Sequence, residues 1–219
     1  MNRLALFDCD GTLVDSQANI CMAMENAFAI NDIAAPPRSA IRRIVGLSVF
    51  EAVCALMPQA HSAAQTKMAE AYKQSFFDLR GQGLIEEPLY DGISDVLLAL
   101  DINGWMLGVA TGKSDRGLER CLDHHGIKAK FITLQTADRH PSKPHPSMIY
   151  QAMADAGSDA ANTVMIGDTV YDIEMAVAAG CRSIGVSWGY HAVDELREAG
   201  ADMIAETMDE LTAILEDIQ

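Results

Sequence analysis

The segment Leu4-Ala5-Leu6-Phe7-Asp8-Cys9-Asp10-Gly11-Thr12-Leu13 decides how this chain is read. Four apolar residues without a polar interruption suit a strand buried on both faces, as in a parallel sheet. The run then stops at two carboxylates two residues apart and a turn-forming glycine. Like charges placed that close raise each other's pKa, so something must offset the repulsion, and a bound cation would do it. The competing reading of Asp-x-Asp-Gly alone is a solvated turn with Asx-type hydrogen bonds.

Similar short apolar runs follow at Met106–Ala110, Phe131–Leu134, Val164–Ile166 and Ile184–Val186, and one near Met203–Ile204 suits an edge strand. Helical patterns of 10–15 residues separate the later ones. This alternation is that of βαβ units and predicts an α/β fold with a Rossmann-like parallel sheet. The first interval breaks the rhythm, because about a hundred residues lie between Phe7 and Met106. Ile20, Met24, Ala27 and Phe28 fall on one helical face, and Pro36-Pro37 is expected to stop that helix. Ser48 and Glu51 read as a capping box opening a second helix that ends near Pro58. A third helix runs from His61 to Arg80 and is closed by Gly81 and Gly83. The expected organisation is a core of residues 1–15 and 85–219 with a helical module over 16–84. Ser94 is the expected cap of the next core helix.

A second strand also ends in carboxylates, in Val164-Met165-Ile166-Gly167-Asp168-Thr169-Val170-Tyr171-Asp172. Ligands of open α/β sheets bind outside the carboxyl ends of the strands. If the two strands are central neighbours, Asp8, Asp10, Asp168 and Asp172 converge, and four hard oxygen donors suit Mg²⁺. Taken singly, Asp168 also reads as a helix N-cap and Asp172 as an exposed first-turn residue. A third strand ends in Thr111-Gly112-Lys113-Ser114, where a hydroxyl and free N–H groups at a helix start form an anion site. The stretch Arg139-His140-Pro141-Ser142-Lys143-Pro144-His145-Pro146 holds Lys143 in a loop stiffened by three prolines, where its ammonium can neutralise a phosphate. His140 and His145 read as structural or pocket-rim residues.

The 219 residues are 49% apolar and 21% charged, with a formal net charge of −15. An acidic surface repels nucleic-acid backbones. No apolar run approaches the ~20 residues of a membrane span. The N-terminus lacks a signal-peptide cleavage region, and five scattered cysteines with no CxxC pair argue against a disulfide framework or zinc site. A cytoplasmic protein, monomeric or homodimeric, is expected.

Together the quoted motifs resemble the haloacid dehalogenase superfamily, in its phosphatase branch similar to phosphoglycolate phosphatase. The inserted helices resemble that family's small cap. About thirty residues between Thr111 and Lys143 leave no room for the larger cap other members insert there. The resemblance implies a Mg²⁺-dependent phosphatase acting on a small phosphorylated metabolite. It implies that Asp8 attacks phosphorus and that Asp10 protonates the leaving alcohol and then activates water. It further implies that Asp8, Asp168 and the Asp10 carbonyl hold the metal, with Asp172 supporting the metal shell or Lys143. Thr111, Gly112 and Lys143 would bind the phosphoryl group.

Cys9 stands where an apolar residue is more usual in the first motif. A dehalogenase is disfavoured by Asp10 and the complete fourth motif, and a phosphonate hydrolase by the solvated setting expected for Lys67 and Lys73. A β-phosphoglucomutase-like mutase and a non-catalytic phosphoryl-binding module are the alternatives. Two arginines in Ile41-Arg42-Arg43-Ile44 are unusual in so acidic a chain, and Arg42 or Arg43 is expected to bind a substrate's distal anion.

Overall fold

The computed structural model describes residues 2–218. Six strands form one parallel sheet: β1 (Arg3–Phe7), β2 (Trp105–Thr111), β3 (Phe131–Thr136), β4 (Thr163–Gly167), β5 (Arg182–Val186) and β6 (Met203–Ala205). Their order is β3-β2-β1-β4-β5-β6. β1 is therefore central, and the strand order reverses between β1 and β4, where a crevice opens at the carboxyl ends. The short β6 lies at one edge.

The apolar run of β1 follows from this central place. Successive side chains point to opposite faces. Ala5 and Phe7 join a core with Val109, Val164 and Ile166 and with helices α5 (Ile93–Ile102), α6 (Asp115–His124) and α10 (Met208–Asp217). Leu4 and Leu6 face the other way, into a core with Met165 and helices α7 (Ser147–Ala156) and α8 (Val170–Ala179). Full burial of a side chain such as Phe7 contributes about 1.5–3 kcal/mol. The remaining core helix, α9 (Val193–Glu198), follows β5.

Between β1 and α5 lie α1 (Gln17–Ile30), α2 (Arg38–Arg43), α3 (Val49–Leu56) and α4 (Ser62–Gly81). Their inward faces form a separate apolar cluster that includes Ile20, Met24, Ala27, Phe28, Val53 and Met68. The two chain passages linking these helices to the sheet run side by side, with an antiparallel bridge from Val14 to Leu89.

Three local expectations are corrected. Helix α1 ends at Ile30, where Asp32 takes a positive φ of 54° within the turn that follows. The proline pair comes later, and Pro37 is the N-cap of α2. Only half of the capping box at α3 forms. Ser48 accepts from the Glu51 N–H, but its own N–H donates to Ser142 Oγ at 2.8 Å, tying the helical module to the sheet. Helix α5 begins two residues earlier than a Ser94 cap allows, behind Gly92 at φ 92°.

Candidate active site

Asp8 follows the last residue of β1, and the next β4 bond, Asp8 N–H to Ile166 O at 2.9 Å, still holds its backbone in register. Its carboxylate is fully buried. Oδ1 accepts from the Cys9 N–H at 2.6 Å and from Lys143 Nζ at 3.0 Å. Oδ2 is buried without a hydrogen-bond partner. An orphaned charged oxygen costs several kcal/mol, so it marks a place meant for another ligand.

Asp168 and Asp172 come from the turn after β4 and the start of α8. One oxygen from each of Asp8, Asp168 and Asp172 lies within 4.8 Å of the others. Asp168 accepts from Thr12 Oγ1 at 2.8 Å and from the Tyr190 N–H at 2.9 Å. Gly11 and Gly189 make room for it: a Cβ at either position would collide with the Asp168 carboxylate, and Gly11 also has a positive φ of 88°. Asp172 is already engaged through both oxygens. Oδ1 takes Lys143 Nζ at 2.5 Å, and Oδ2 takes the N–H and hydroxyl of Thr169 at 3.1 and 2.7 Å, closing the capping box of α8.

Burial pushes the Asp8 carboxyl up to about 7. Lys143 opposes the shift, and Asp172 and Asp10 add to it. Asp168 is pushed well above the carboxylate range by burial, then by Asp172 and Asp8. Burial alone would lower the Lys143 ammonium, but Asp172 and Asp8 outweigh it and hold the proton firmly. The loop bearing Lys143 is braced from behind. His140 Nε2 meets Gln135 Oε1 at 2.8 Å, its Nδ1 meets Ser147 Oγ at 2.8 Å, and Gln135 Nε2 donates to Asp155 at 2.8 Å.

The expected convergence of four carboxylates holds for three. The Asp10 carboxylate stands apart, paired with Lys113 Nζ at 2.9 Å and accepting from Ser16 Oγ. Lys113 also pairs with Glu87 at 2.5 Å, and Glu87 pairs with Arg80 of α4 at 2.7 Å. Burial would lower the Lys113 pKa, but Asp10 and Glu87 raise it well above its ordinary value. Thr111 is buried at the end of β2, and its Oγ1 accepts from the Lys113 N–H at 3.2 Å. Gly112 touches the helical module: a Cβ there would stand 2.5 Å from the Leu47 carbonyl oxygen.

Neither Arg42 nor Arg43 of α2 faces this site. Arg43 pairs with Glu195 of α9 at 2.7 Å and is largely exposed, while Arg42 donates to Gln17 at 3.0 Å. Arg43, expected to bind substrate, is paired with Glu195 and stands away from the carboxylate cluster in this structure. The Arg43 carbonyl instead accepts from Tyr171 Oη at 3.1 Å and sits 3.2 Å from His191 Nε2. His191 Nδ1 accepts from the Val170 N–H, so the proton of the neutral ring lies on Nε2 and donates to that carbonyl.

Sequence reasoning gave no role to Lys113, Glu87, Ser16 or Tyr190. Lys113 directly follows Thr111-Gly112 at the end of β2. Glu87 and Tyr190 lie in segments with no motif at all.

The sequence model of a family described as haloacid dehalogenase-like hydrolase matches residues 5–186. A protein named "Probable phosphatase IndB" from Dickeya dadantii (strain 3937) is 36% identical over 217 residues, covering 96% of this chain and 92% of that one. A phosphoglycolate phosphatase from Pasteurella multocida (strain Pm70) is 27% identical, covering 98% of each chain. The crystal structure of a predicted phosphatase from Clostridium acetobutylicum superposes with a TM-score of 0.88 at 29% identity, covering 99% of each chain. No helix among the described residues is long and apolar enough to cross a membrane. The topology, the carboxylate cluster beside a buried lysine and these matches agree: the chain belongs to the haloacid dehalogenase-like hydrolase family.

Proposed function

We propose that this protein hydrolyses a small phosphomonoester in two steps, with Asp8 as a covalent nucleophile. The observation that carries the reading is the Asp8 carboxylate itself, with one oxygen held by Lys143 and the other buried and unpartnered. In the first step an Asp8 oxygen bonds to phosphorus while the bond from phosphorus to the ester oxygen breaks. Asp10 gives that oxygen its proton. In the second step Asp10 takes a proton from water, whose oxygen attacks the same phosphorus and releases phosphate from Asp8.

Lys143 lowers the repulsion between the nucleophile and a phosphate dianion, and Asp172 keeps Lys143 in place. Thr111 and the Gly112 N–H hold the phosphoryl oxygens. Hard oxygens, the orphaned Asp8 Oδ2 and the glycine-lined space around Asp168 fit Mg²⁺. Asp8, Asp168 and the Asp10 carbonyl are the proposed ligands. Bound there, the ion supplies Lewis-acid stabilisation of phosphoryl charge. Residues 16–84 act as a cap that shields the intermediate from bulk water.

The test is turnover of p-nitrophenyl phosphate with magnesium. Wild type is expected to be active and Asp8→Asn inactive, because the amide keeps the shape without the nucleophilicity. Wild-type activity in an Asp8→Asn preparation shown free of deamidation would overturn the mechanism. The relative named for phosphoglycolate makes 2-phosphoglycolate the first metabolite to assay.

A further inference from the structure

A cavity of about 580 Å³ lies between the sheet and the helical module. Asp10, Gly112 and Lys113 belong to its wall, whereas Asp8 and Lys143 do not. If Asp10 protonates the leaving oxygen, that oxygen sits within hydrogen-bond reach of it. The rest of the alcohol then extends into this cavity. Its volume falls in the range that buries ligands of drug size, and a two-carbon acid such as glycolate would leave most of it unfilled.

The wall is mainly apolar. Ile20 and Met24 of α1, Leu47, and Tyr72, Phe76 and Phe77 of α4 contribute to it. The Tyr72 and Phe76 rings are 6.0 Å apart and tilted by 46°. The deep charges cancel. Lys113 is held by Asp10 and Glu87, and Arg80 by Glu87, so two cations meet two carboxylates. Arg80 also lies over the Phe76 ring at 5.4 Å. No uncompensated cation among these groups awaits a carboxylate beside the ester oxygen. The other basic residues of the wall, Lys73, Arg116 and Arg120, are exposed, and Arg116 stacks on Phe77 at 5.1 Å.

We infer that the preferred substrate is a phosphomonoester whose alcohol carries a ring-sized apolar body, rather than a short phosphorylated carboxylate. This rests on the phosphatase reading above. Tyr72 and Phe76 are the specificity-determining residues, offering ring faces and edges to a flat apolar group.

The experiment compares kcat/KM for 2-phenylethyl phosphate, ethyl phosphate and 2-phosphoglycolate. The first two have similar leaving alcohols, so the ring is the main difference. Burial of the ring predicts an advantage of about tenfold to a hundredfold for 2-phenylethyl phosphate over each of the others. Phe76→Ala should remove most of that advantage, lowering kcat/KM for 2-phenylethyl phosphate about tenfold more than it lowers that for ethyl phosphate. Retained ethyl phosphate turnover shows that the variant is folded, and Phe76→Leu provides a milder truncation if it is not. An enzyme that prefers 2-phosphoglycolate, or loses activity on all three esters equally in both variants, overturns the inference and leaves the phosphatase reading standing. No turnover of any ester, with p-nitrophenyl phosphate also inert, overturns the phosphatase reading instead.

Discussion

Replacing Asp8 by Asn should stabilise the metal-free protein while abolishing its turnover. The fully buried Asp8 carboxyl is pushed from 3.8 to about 7, chiefly by burial and against the pull of Lys143. The difference, about 7 less 3.8, is roughly three units at about 1.4 kcal/mol each, or a ceiling of about 4 kcal/mol. The sign follows from linkage. With its folded pKa raised, Asp8 supports the fold fully only below the unfolded value near 3.8, and that support is lost as pH rises through about 7. Asparagine has nearly the same shape, never ionises and escapes this loss. The stability gap between variant and wild type should thus be small near pH 4, widen through the interval and level off above about 7.

Relaxation and water penetration reduce such costs, so about half the ceiling, some 2 kcal/mol, is the working figure. For a chain of this length that corresponds to about 4–8 °C in Tm. The assay is thermal unfolding followed by circular dichroism in excess chelator across that pH range. Saturating magnesium should then raise the Tm of wild type more than that of the variant, because it relieves a charge the variant lacks. An Asp8→Asn protein no more stable than wild type at pH 8, or a gap that does not change with pH, would refute the reasoning.

Asp10→Ala should lower kcat for an alkyl phosphate by about 10²–10⁴-fold, with a smaller effect on aspartyl-phosphate formation from p-nitrophenyl phosphate, whose leaving group needs little protonation; quenched-flow measurement of both steps checks this. Arg43→Ala should leave KM for every phosphomonoester unchanged, since its guanidinium pairs with Glu195 on the exposed surface; a KM rise confined to anionic substrates would contradict that placement. His140→Ala removes the brace behind the Lys143 loop and should reduce kcat by about tenfold to a hundredfold with the far-UV spectrum unchanged. An undiminished kcat would show that Lys143 is held without it.

The sheet was legible because central parallel strands are buried on both faces, and Leu4-Ala5-Leu6-Phe7 can be little else. The positions of Asp8 and Asp168 follow from the same fact, since a strand buried to its last residue can place a carboxylate only at its end. The limits of the reading lie where local chemistry admits several partners. Ser48 has the signature of a capping box, yet its N–H prefers a hydroxyl across the interface, and no helical period predicts Ser142. Arg43 was read as a substrate ligand from charge alone, but an exposed guanidinium takes the nearest carboxylate, here Glu195. Asp10 and Asp8 are two residues apart and look equivalent in sequence. Their carboxylates nonetheless part company, Asp8 to Lys143 and Asp10 to Lys113.

Charge addition at the buried cluster leads to one more prediction. Asp8, Asp168 and Asp172 contribute three negative charges when ionised, and Lys143 supplies one positive, leaving a net of −2 in a space without bulk water. Burial first, and then the neighbouring carboxylates, shift Asp8 and Asp168 upward, so the cluster relieves that imbalance by holding protons. A divalent cation balances the cluster as a monovalent one does not. Magnesium binding should therefore expel protons, since a protonated carboxyl is a poor ligand for a hard cation. The apparent Kd should fall as pH rises, the part of that fall contributed by Asp8 levelling off above about 7. Titration calorimetry in buffers of different ionisation enthalpy measures the protons released directly. Release should approach one or more per ion near pH 6 and decline at higher pH for the part contributed by Asp8. In Asp8→Asn that part should be missing, leaving only the contribution of Asp168. A Kd independent of pH between 5 and 8, with no buffer dependence of the binding heat, would mean that the cluster is not relieved by protons and that the balance rests on another group.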